Sequence, residues 1–156
     1  MKKLRSFIFL LITLSLISCS MSAKTEKNEN KEAAKGEVIV LDKANFITKV
    51  FDYENNHDEW VYEGSKPCIV DFYADWCGPC KKISPLLRDM AILYKNDIIV
   101  YKVNVDKEGE LASAFGIESI PTLLFIPKDG IPQVSQGVLP REELVKQIDR
   151  YLLGKK

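Results

Sequence analysis

Residues Asp71 to Lys82 read DFYADWCGPCKK and contain two cysteines separated by a glycine and a proline. This stretch overlaps an apolar run, Cys68 to Ala74, that is typical of a buried strand. Apolar residues from Ile83 to Tyr94 then recur at helical spacing. Cys77 and Cys80 lie where the predicted strand gives way to the predicted helix. Such a pair can be half of a metal site, a structural disulfide or a redox-active pair.

The position of the pair favours redox chemistry. A helix N-terminus presents unpaired N–H groups and a partial positive charge, which stabilise a thiolate relative to a thiol. We therefore expect Cys77 to be the nucleophile, and Cys80, about one turn along the same face, to be the more enclosed resolving thiol. Pro79 suits a first helical turn because it has no N–H, and Gly78 leaves room for another backbone to approach the sulfurs.

The two rival interpretations of the pair have less support. A structural zinc site needs four N or S ligands, and beyond the pair the predicted domain offers Cys68 and His57. We expect Cys68 to be an inert packed cysteine and His57 to be a surface residue, so no metal is predicted. A structural disulfide closing so short a loop would remove little unfolded-state entropy. A non-catalytic binding platform is a further alternative, but it would have more support if one of the two cysteines were missing, and both are present.

The rest of the chain predicts the element order βαβαβαββα, which is an α/β fold with a mixed sheet. Asp42 is a candidate N-cap for the first helix, Pro85 predicts a kink in the second, and Gly116 ends the third. The region 52–66 is a polar connection in which Trp60 and Tyr62 are expected to pack against the sheet. The predicted strands are 38–41, 68–74, 98–105, 122–126 and 132–136, the last at an edge, and the fourth helix follows Pro140.

The N-terminus has the layout of an export signal. Residues 1–18, MKKLRSFIFLLITLSLIS, carry basic residues followed by an apolar run too short to span a bilayer comfortably. Leu16-Ile17-Ser18-Cys19 resembles the lipobox of bacterial lipoproteins, in which the cysteine is acylated. A conventional cleavage near Met21-Ser22-Ala23 is the alternative, and it would discard Cys19. We expect a signal peptide at 1–18, a disordered tether at 19–36 and one folded domain at 37–156.

Composition and charge narrow the possible functions. The chain is 46% hydrophobic and 28% charged with a formal net charge of zero, as in an ordinary soluble domain. Basic residues are interspersed with acidic ones, and no Lys/Arg stripe with interleaved aromatics occurs. We therefore expect no nucleic-acid partner, and we expect a monomer.

WCGPCK after VDFYAD, with SIPT far downstream, is similar to the active-site signature of thioredoxins. The resemblance implies a thioredoxin-like fold, a central mixed β-sheet flanked by four α-helices, over residues 37–156. It also implies thiol–disulfide exchange: the first cysteine attacks a substrate disulfide, and the second releases the reduced product. No cofactor beyond the Cys77–Cys80 disulfide is implied.

The resemblance assigns roles near the pair. Asp71 matches the family's buried acid beneath the second cysteine. An ionised carboxylate in an apolar strand is costly, so its pKa should be raised, as suits a proton acceptor for Cys80. Lys102 matches the lysine near this acid, and the alternative is an ordinary solvated lysine.

Other matching positions form the family's substrate-contact surface. Pro121 matches the cis-proline next to the cysteines, and the backbone of Ile120 matches the group that pairs with an extended substrate segment. The remaining matches are Trp76, Gly78, Pro79 and Gly137. Each position also has an ordinary structural interpretation: a helix-capping hydrophobe at Trp76, a turn proline at Pro121 and a bulge at Gly137.

Export changes the expected partners. We expect the clients to be disulfide-containing exported proteins and the electron source to be a membrane thiol carrier. We expect the protein to lie in the periplasm or cell envelope, attached to the membrane through a lipid at Cys19. A Gly-Pro dipeptide between the cysteines resembles reducing thioredoxins, which favours reduction or isomerisation of disulfides. The alternative is that the protein is an oxidant in disulfide formation, because in an oxidising compartment the same cysteine pair could transfer its disulfide to a client.

Overall fold

The computed structural model describes residues 36–156. The predicted signal peptide at 1–18, the lipidation site Cys19 and the predicted tether up to residue 35 lie outside the described residues. Gly36, the first described residue, is buried.

The described chain has nine elements in the predicted order βαβαβαββα, which confirms the α/β class and the four helices. Each strand end differs from the predicted one by at most one residue. The first strand is two residues long, yet Leu41 N still donates to Lys102 O at 2.9 Å. The elements are β1 (Ile39–Val40), α1 (Lys43–Lys49), β2 (Cys68–Tyr73), α2 (Gly78–Leu93), β3 (Ile99–Asn104), α3 (Gly109–Ala114), β4 (Thr122–Ile126), β5 (Gln133–Gln136) and α4 (Arg141–Lys146, continued by a π-helical segment, Gln147–Leu152).

Local signals explain several element ends. Asp42 caps α1, since its Oδ1 accepts a hydrogen bond from Asn45 N at 2.8 Å. Gly116 follows α3 with φ +61°, a left-handed conformation that glycine adopts without steric cost. Helix α2 continues through Pro85, which lies inside it.

The five strands form one mixed sheet in the order β1-β3-β2-β4-β5. Strands β1, β3 and β2 are parallel, whereas β4 is antiparallel to β2 and to β5. β5 is at an edge, as predicted. Because β4 runs opposite to β2, the residue that precedes β4, Pro121, lies at the edge of the sheet where β2 ends and the cysteine pair begins.

The core has two layers, one on each face of the sheet. Helices α2 and α4 cover one face, where Ile69 packs in the same cluster as Ile83 and Leu87. Helices α1 and α3 cover the other face, where Val70 and Phe72 lie. Successive side chains of a strand alternate between faces, so Asp71 lies on the face covered by α2.

The connection between α1 and β2 contains no helix or strand in the described chain. Trp60 packs against the α1/α3 side of the core, with its ring centroid 4.4 Å from that of Phe51. Tyr62 packs there as well, and its hydroxyl donates a hydrogen bond to Lys66 O at 2.5 Å. The prediction that Trp60 and Tyr62 pack against the sheet is confirmed.

We expect Trp60→Ala to lower the free energy of unfolding by about 2–4 kcal/mol, because it removes a large, partly buried ring from this cluster. Activity should change less than about twofold, since a lesion remote from the cysteines acts on stability alone. Urea denaturation and insulin-disulfide reduction would be compared with Val61→Ala, an exposed neighbour. Unchanged unfolding combined with lost turnover would place Trp60 at a partner surface instead.

Within residues 36–156, no helix has both the length and the apolar composition needed to cross a bilayer.

Candidate active site

Cys77 and Cys80 form a disulfide at the start of α2, with an S–S distance of 2.07 Å. Cys77 is the N-cap residue of this 16-residue helix, and its Sγ accepts a hydrogen bond from Cys80 N at 3.1 Å. Pro79 lies in the first turn, and a Cβ placed on Gly78 would meet no atom within 4 Å among the described residues. The helix N-terminus therefore points at the Cys77 sulfur, an arrangement that stabilises a thiolate when the pair is reduced.

Exposure does not separate the two cysteines in the disulfide form, because each residue is 3% exposed. The exposed fraction therefore does not support the expectation that Cys80 is more enclosed than Cys77. The surroundings of the two sulfurs do differ. Cys77 Sγ lies 3.7 Å from the carbonyl oxygen of Ile120, whereas Cys80 lines a cavity with Asp71. A disulfide sulfur has no proton to donate, so the Ile120 contact becomes a hydrogen bond only when Cys77 is a thiol.

The loop before β4 lies against the pair. The Ile120–Pro121 peptide bond is cis, as the family resemblance implies. Gly137, which follows β5, donates its N–H to Pro121 O at 2.8 Å and has φ +84°, a conformation that favours glycine. The structure thus brings Ile120 beside Cys77, 43 residues away along the chain, and bonds Gly137 to Pro121, the residue after Ile120.

Trp76 stands on the surface next to the pair and is 70% exposed. Its Nε1–H donates to Asp106 Oδ2 at 2.9 Å, which fixes the orientation of the indole. Asp106 is itself held, because its N–H donates to Asn104 Oδ1 at 3.0 Å. The capping-hydrophobe alternative for Trp76 does not fit an exposed ring. Sequence reasoning missed Asp106, whose one signal was its place just beyond the end of β3.

Asp71 is buried beneath α2, with 4% of its surface exposed. Its Oδ1 has no hydrogen-bond partner among the described residues. Burial raises the pKa of Asp71 to about 7, while the positive charge of Lys102 acts in the opposite direction. A cavity of about 170 Å³ is lined by Asp71, Cys80, Ser84 and Lys102, so the buried acid and the second cysteine share one space.

Lys102 lies directly across from Asp71 in the β2–β3 register and is partly buried. Its Nζ is 5.1 Å from the centroid of the Tyr73 ring. Tyr73 is two residues after Asp71 on β2 and therefore lies on the same face of the sheet. The structure brings Lys102 to the predicted acid. Sequence reasoning missed Tyr73, although its spacing from Asp71 was a usable signal.

Cys68 lies away from this site. It is fully buried in the α1/α3 layer of the core, and burial raises the pKa of its thiol to about 12. A thiol that stays protonated and inaccessible is chemically inert. Within residues 36–156, no three His, Cys, Asp or Glu side chains lie close enough together to hold a metal ion.

Comparisons with known proteins agree with this geometry. The family model described as thioredoxin matches residues 37–150. A thioredoxin of Borreliella burgdorferi is 50% identical over 116 residues, which cover 74% of this chain and 97% of that protein. A thioredoxin of Chlorobaculum thiosulfatiphilum is 34% identical over 99 residues, 64% of this chain and 92% of that protein. The M-type chloroplastic thioredoxin of Spinacia oleracea is 38% identical over 99 residues, 64% of this chain and 55% of that protein. Since the match runs from β1 into α4, the chain belongs to the thioredoxin family of protein-disulfide oxidoreductases.

Proposed function

We propose that the protein is a thiol–disulfide oxidoreductase of the bacterial cell envelope that reduces or isomerises disulfides in exported proteins. The observation that carries the exchange chemistry is the Cys77–Cys80 pair at the N-terminus of α2, above a buried carboxylate. The envelope location is supported by the basic and apolar residues of 1–18 and by Cys19, where a lipid would anchor the chain to a membrane.

In the first step, the Cys77 thiolate attacks one sulfur of a client disulfide. A Cys77–client disulfide forms, and the other client sulfur leaves as a thiolate that takes a proton from solvent. The N–H groups at the start of α2 favour Cys77 for this role, because its Sγ already accepts the Cys80 N–H.

In the second step, the Asp71 carboxylate takes the proton of Cys80. The Cys80 thiolate then attacks Cys77 Sγ, the Cys77–Cys80 disulfide forms, and the second client sulfur leaves as a thiolate. Two electrons have passed to the client, and no cofactor other than the cysteine pair takes part. A pKa near 7 suits Asp71 to accept and release a proton at neutral pH, and the cavity that it shares with Cys80 gives the proton a route.

The client would lie as an extended segment across the loop before β4. Backbone groups at Ile120 would pair with it as an added strand, which sets the client disulfide over Cys77. The exposed ring of Trp76 offers a large apolar contact beside this position. The other contact positions are Gly78, Pro79, Pro121 and Gly137.

A dithiol carrier in the membrane would reduce the Cys77–Cys80 disulfide after each turnover, because the protein would work outside the cytoplasm. The Gly-Pro dipeptide between the cysteines supports the reducing direction.

The in vivo redox state of the pair tests the direction. Whole cells would be quenched with acid, free thiols alkylated with a mass tag, and the protein separated on a gel, with Cys68 setting the baseline shift. We expect Cys77 and Cys80 to be mostly reduced. A mostly oxidised pair would overturn the reducing direction and favour donation of disulfides to clients. Metabolic labelling with a fatty acid would test the anchor in the same cells. The wild-type protein should carry the label, and Cys19→Ala should lose it.

A further inference from the structure

The Lys102 ammonium is the positive charge that lowers the pKa of the buried Asp71, yet few contacts fix its position. No carboxylate among residues 36–156 forms a salt bridge with Lys102, whereas Lys43, Arg141, Lys146 and Lys155 do form salt bridges. The contact that the Lys102 side chain does make is with the face of Tyr73, at 5.1 Å from the ring centroid. A cation over an aromatic ring at this distance is attracted by the electron density of the ring face.

Tyr73 lies beside Asn104 and the cysteine cluster. In the β2–β3 register it lies directly across from Asn104, whose Nδ2 donates to Asp75 Oδ2 at 3.3 Å. Its ring also packs against the small cluster formed by Ala74 and the two cysteines. Tyr73 therefore contacts both the cysteine cluster and the Lys102 ammonium, and it lines the same 170 Å³ cavity as Asp71 and Cys80.

We propose that Tyr73 is a positioning residue for the disulfide exchange: its ring holds the Lys102 ammonium over the cavity that Asp71 and Cys80 share. An ammonium held there stabilises the ionised carboxylate, which is the form that takes the proton of Cys80. Without the ring, the flexible lysine side chain gains freedom and extends toward solvent, where its charge is screened. The consequence for turnover rests on the base role proposed above for Asp71.

Other charged or polar groups also face Asp71. A second cavity, of about 330 Å³, opens on the other side of the acid between α2 and the segment before β1. The groups that face Asp71 across the two cavities are Lys81, Ser84 and Arg88 from α2, Asp75 from the end of β2 and Glu37 from the N-terminal segment. Asp75 is linked to Tyr73 through Asn104. Tyr73→Phe removes the hydroxyl next to Asn104 but keeps the ring, so comparison with Tyr73→Phe and Lys102→Met assigns a change in the titration of Asp71 to Lys102.

The test is a pH titration of the Asp71 carboxyl in the full-length oxidised protein. The carboxyl is detected by infrared difference spectroscopy or by NMR, and its signal is assigned by comparison with Asp71→Asn. Tyr73→Leu should move the pKa of Asp71 upward, and Tyr73→Phe, which keeps the ring, should not. Lys102→Met should also move the pKa of Asp71 upward. The Tyr73→Leu/Lys102→Met double variant should match Lys102→Met alone, because both substitutions remove the same interaction. Tyr73→Met is the second ring-less variant if Tyr73→Leu does not fold.

Turnover gives an independent readout. We expect insulin-disulfide reduction by Tyr73→Leu to fall about two- to fivefold at pH 6, the size of a cation–π contact, and to recover at pH 9. Wild-type titration in Tyr73→Leu, or additive effects in the double variant, would overturn the positioning role. An upward-shifted titration with an unchanged pH–rate profile would support the positioning of Lys102 and would overturn the base role of Asp71.

Discussion

Replacing Cys77 by serine is expected to abolish insulin-disulfide reduction, with a loss of at least about 10³-fold, the scale seen when a catalytic nucleophile is removed. A serine hydroxyl at the N-cap of α2 still accepts the Cys80 N–H, so the helix start should remain intact. It cannot form a disulfide with the client. The loss should therefore appear in turnover, with little change in thermal unfolding of the reduced proteins.

The matched controls separate nucleophile from resolving thiol. Cys80→Ser should also lose turnover, because no second thiol releases the client, but it should still react once with a disulfide. Cys68→Ala should keep wild-type turnover, since Cys68 is buried in the opposite layer of the core. Full turnover in Cys77→Ser would remove this residue from the mechanism.

Asp71→Asn is expected to stabilise the oxidised protein increasingly as the pH rises. Burial raises the pKa of Asp71 to about 7, well above that of an aspartate in an unfolded chain. Between about pH 4 and pH 7 the folded protein therefore holds a proton that the unfolded chain has released, and the stability contributed by this group is lost as the pH rises through that window. The difference in free energy of unfolding between Asp71→Asn and wild type should grow by up to about 4 kcal/mol from pH 4 to pH 8.

Urea denaturation of the oxidised proteins at several pH values measures this difference directly. Asp129→Asn, a matched substitution in the exposed turn after β4, serves as the control. A stability difference for Asp71→Asn that stays constant from pH 4 to pH 8 would contradict a raised pKa in the folded protein.

The element order could be predicted from the sequence because it depends on local patterns. Apolar runs at strand length, helical spacing after Cys77 and an N-cap at Asp42 each signal their own element. The two-residue length of β1 could not be predicted, since Val38 and Leu41 are as apolar as the residues between them, and their pairing depends on where β3 lies.

The site was predictable only where one residue carried its own signal. Asp71 stood out as an acid inside an apolar strand, and the family resemblance supplied the cis bond at Pro121, which no periodicity predicts. The partners of these residues depend on the register between strands distant in sequence. The Tyr73–Lys102 and Trp76–Asp106 contacts each join residues from β2 or its end to residues from β3 or its end, and a single strand pattern contains no information about that register.

In the proposed mechanism, Cys77 attacks the client and Cys80 resolves the intermediate. The most direct measurement is to mix reduced Cys80→Ser with a disulfide-containing protein, quench with acid, and map the cross-linked peptide by mass spectrometry under non-reducing conditions. A stable mixed disulfide should form at Cys77, and it should be absent from the wild-type protein, where Cys80 releases the client. A cross-link at Cys68, or none in Cys80→Ser together with one at Cys80 in Cys77→Ser, would contradict this mechanism.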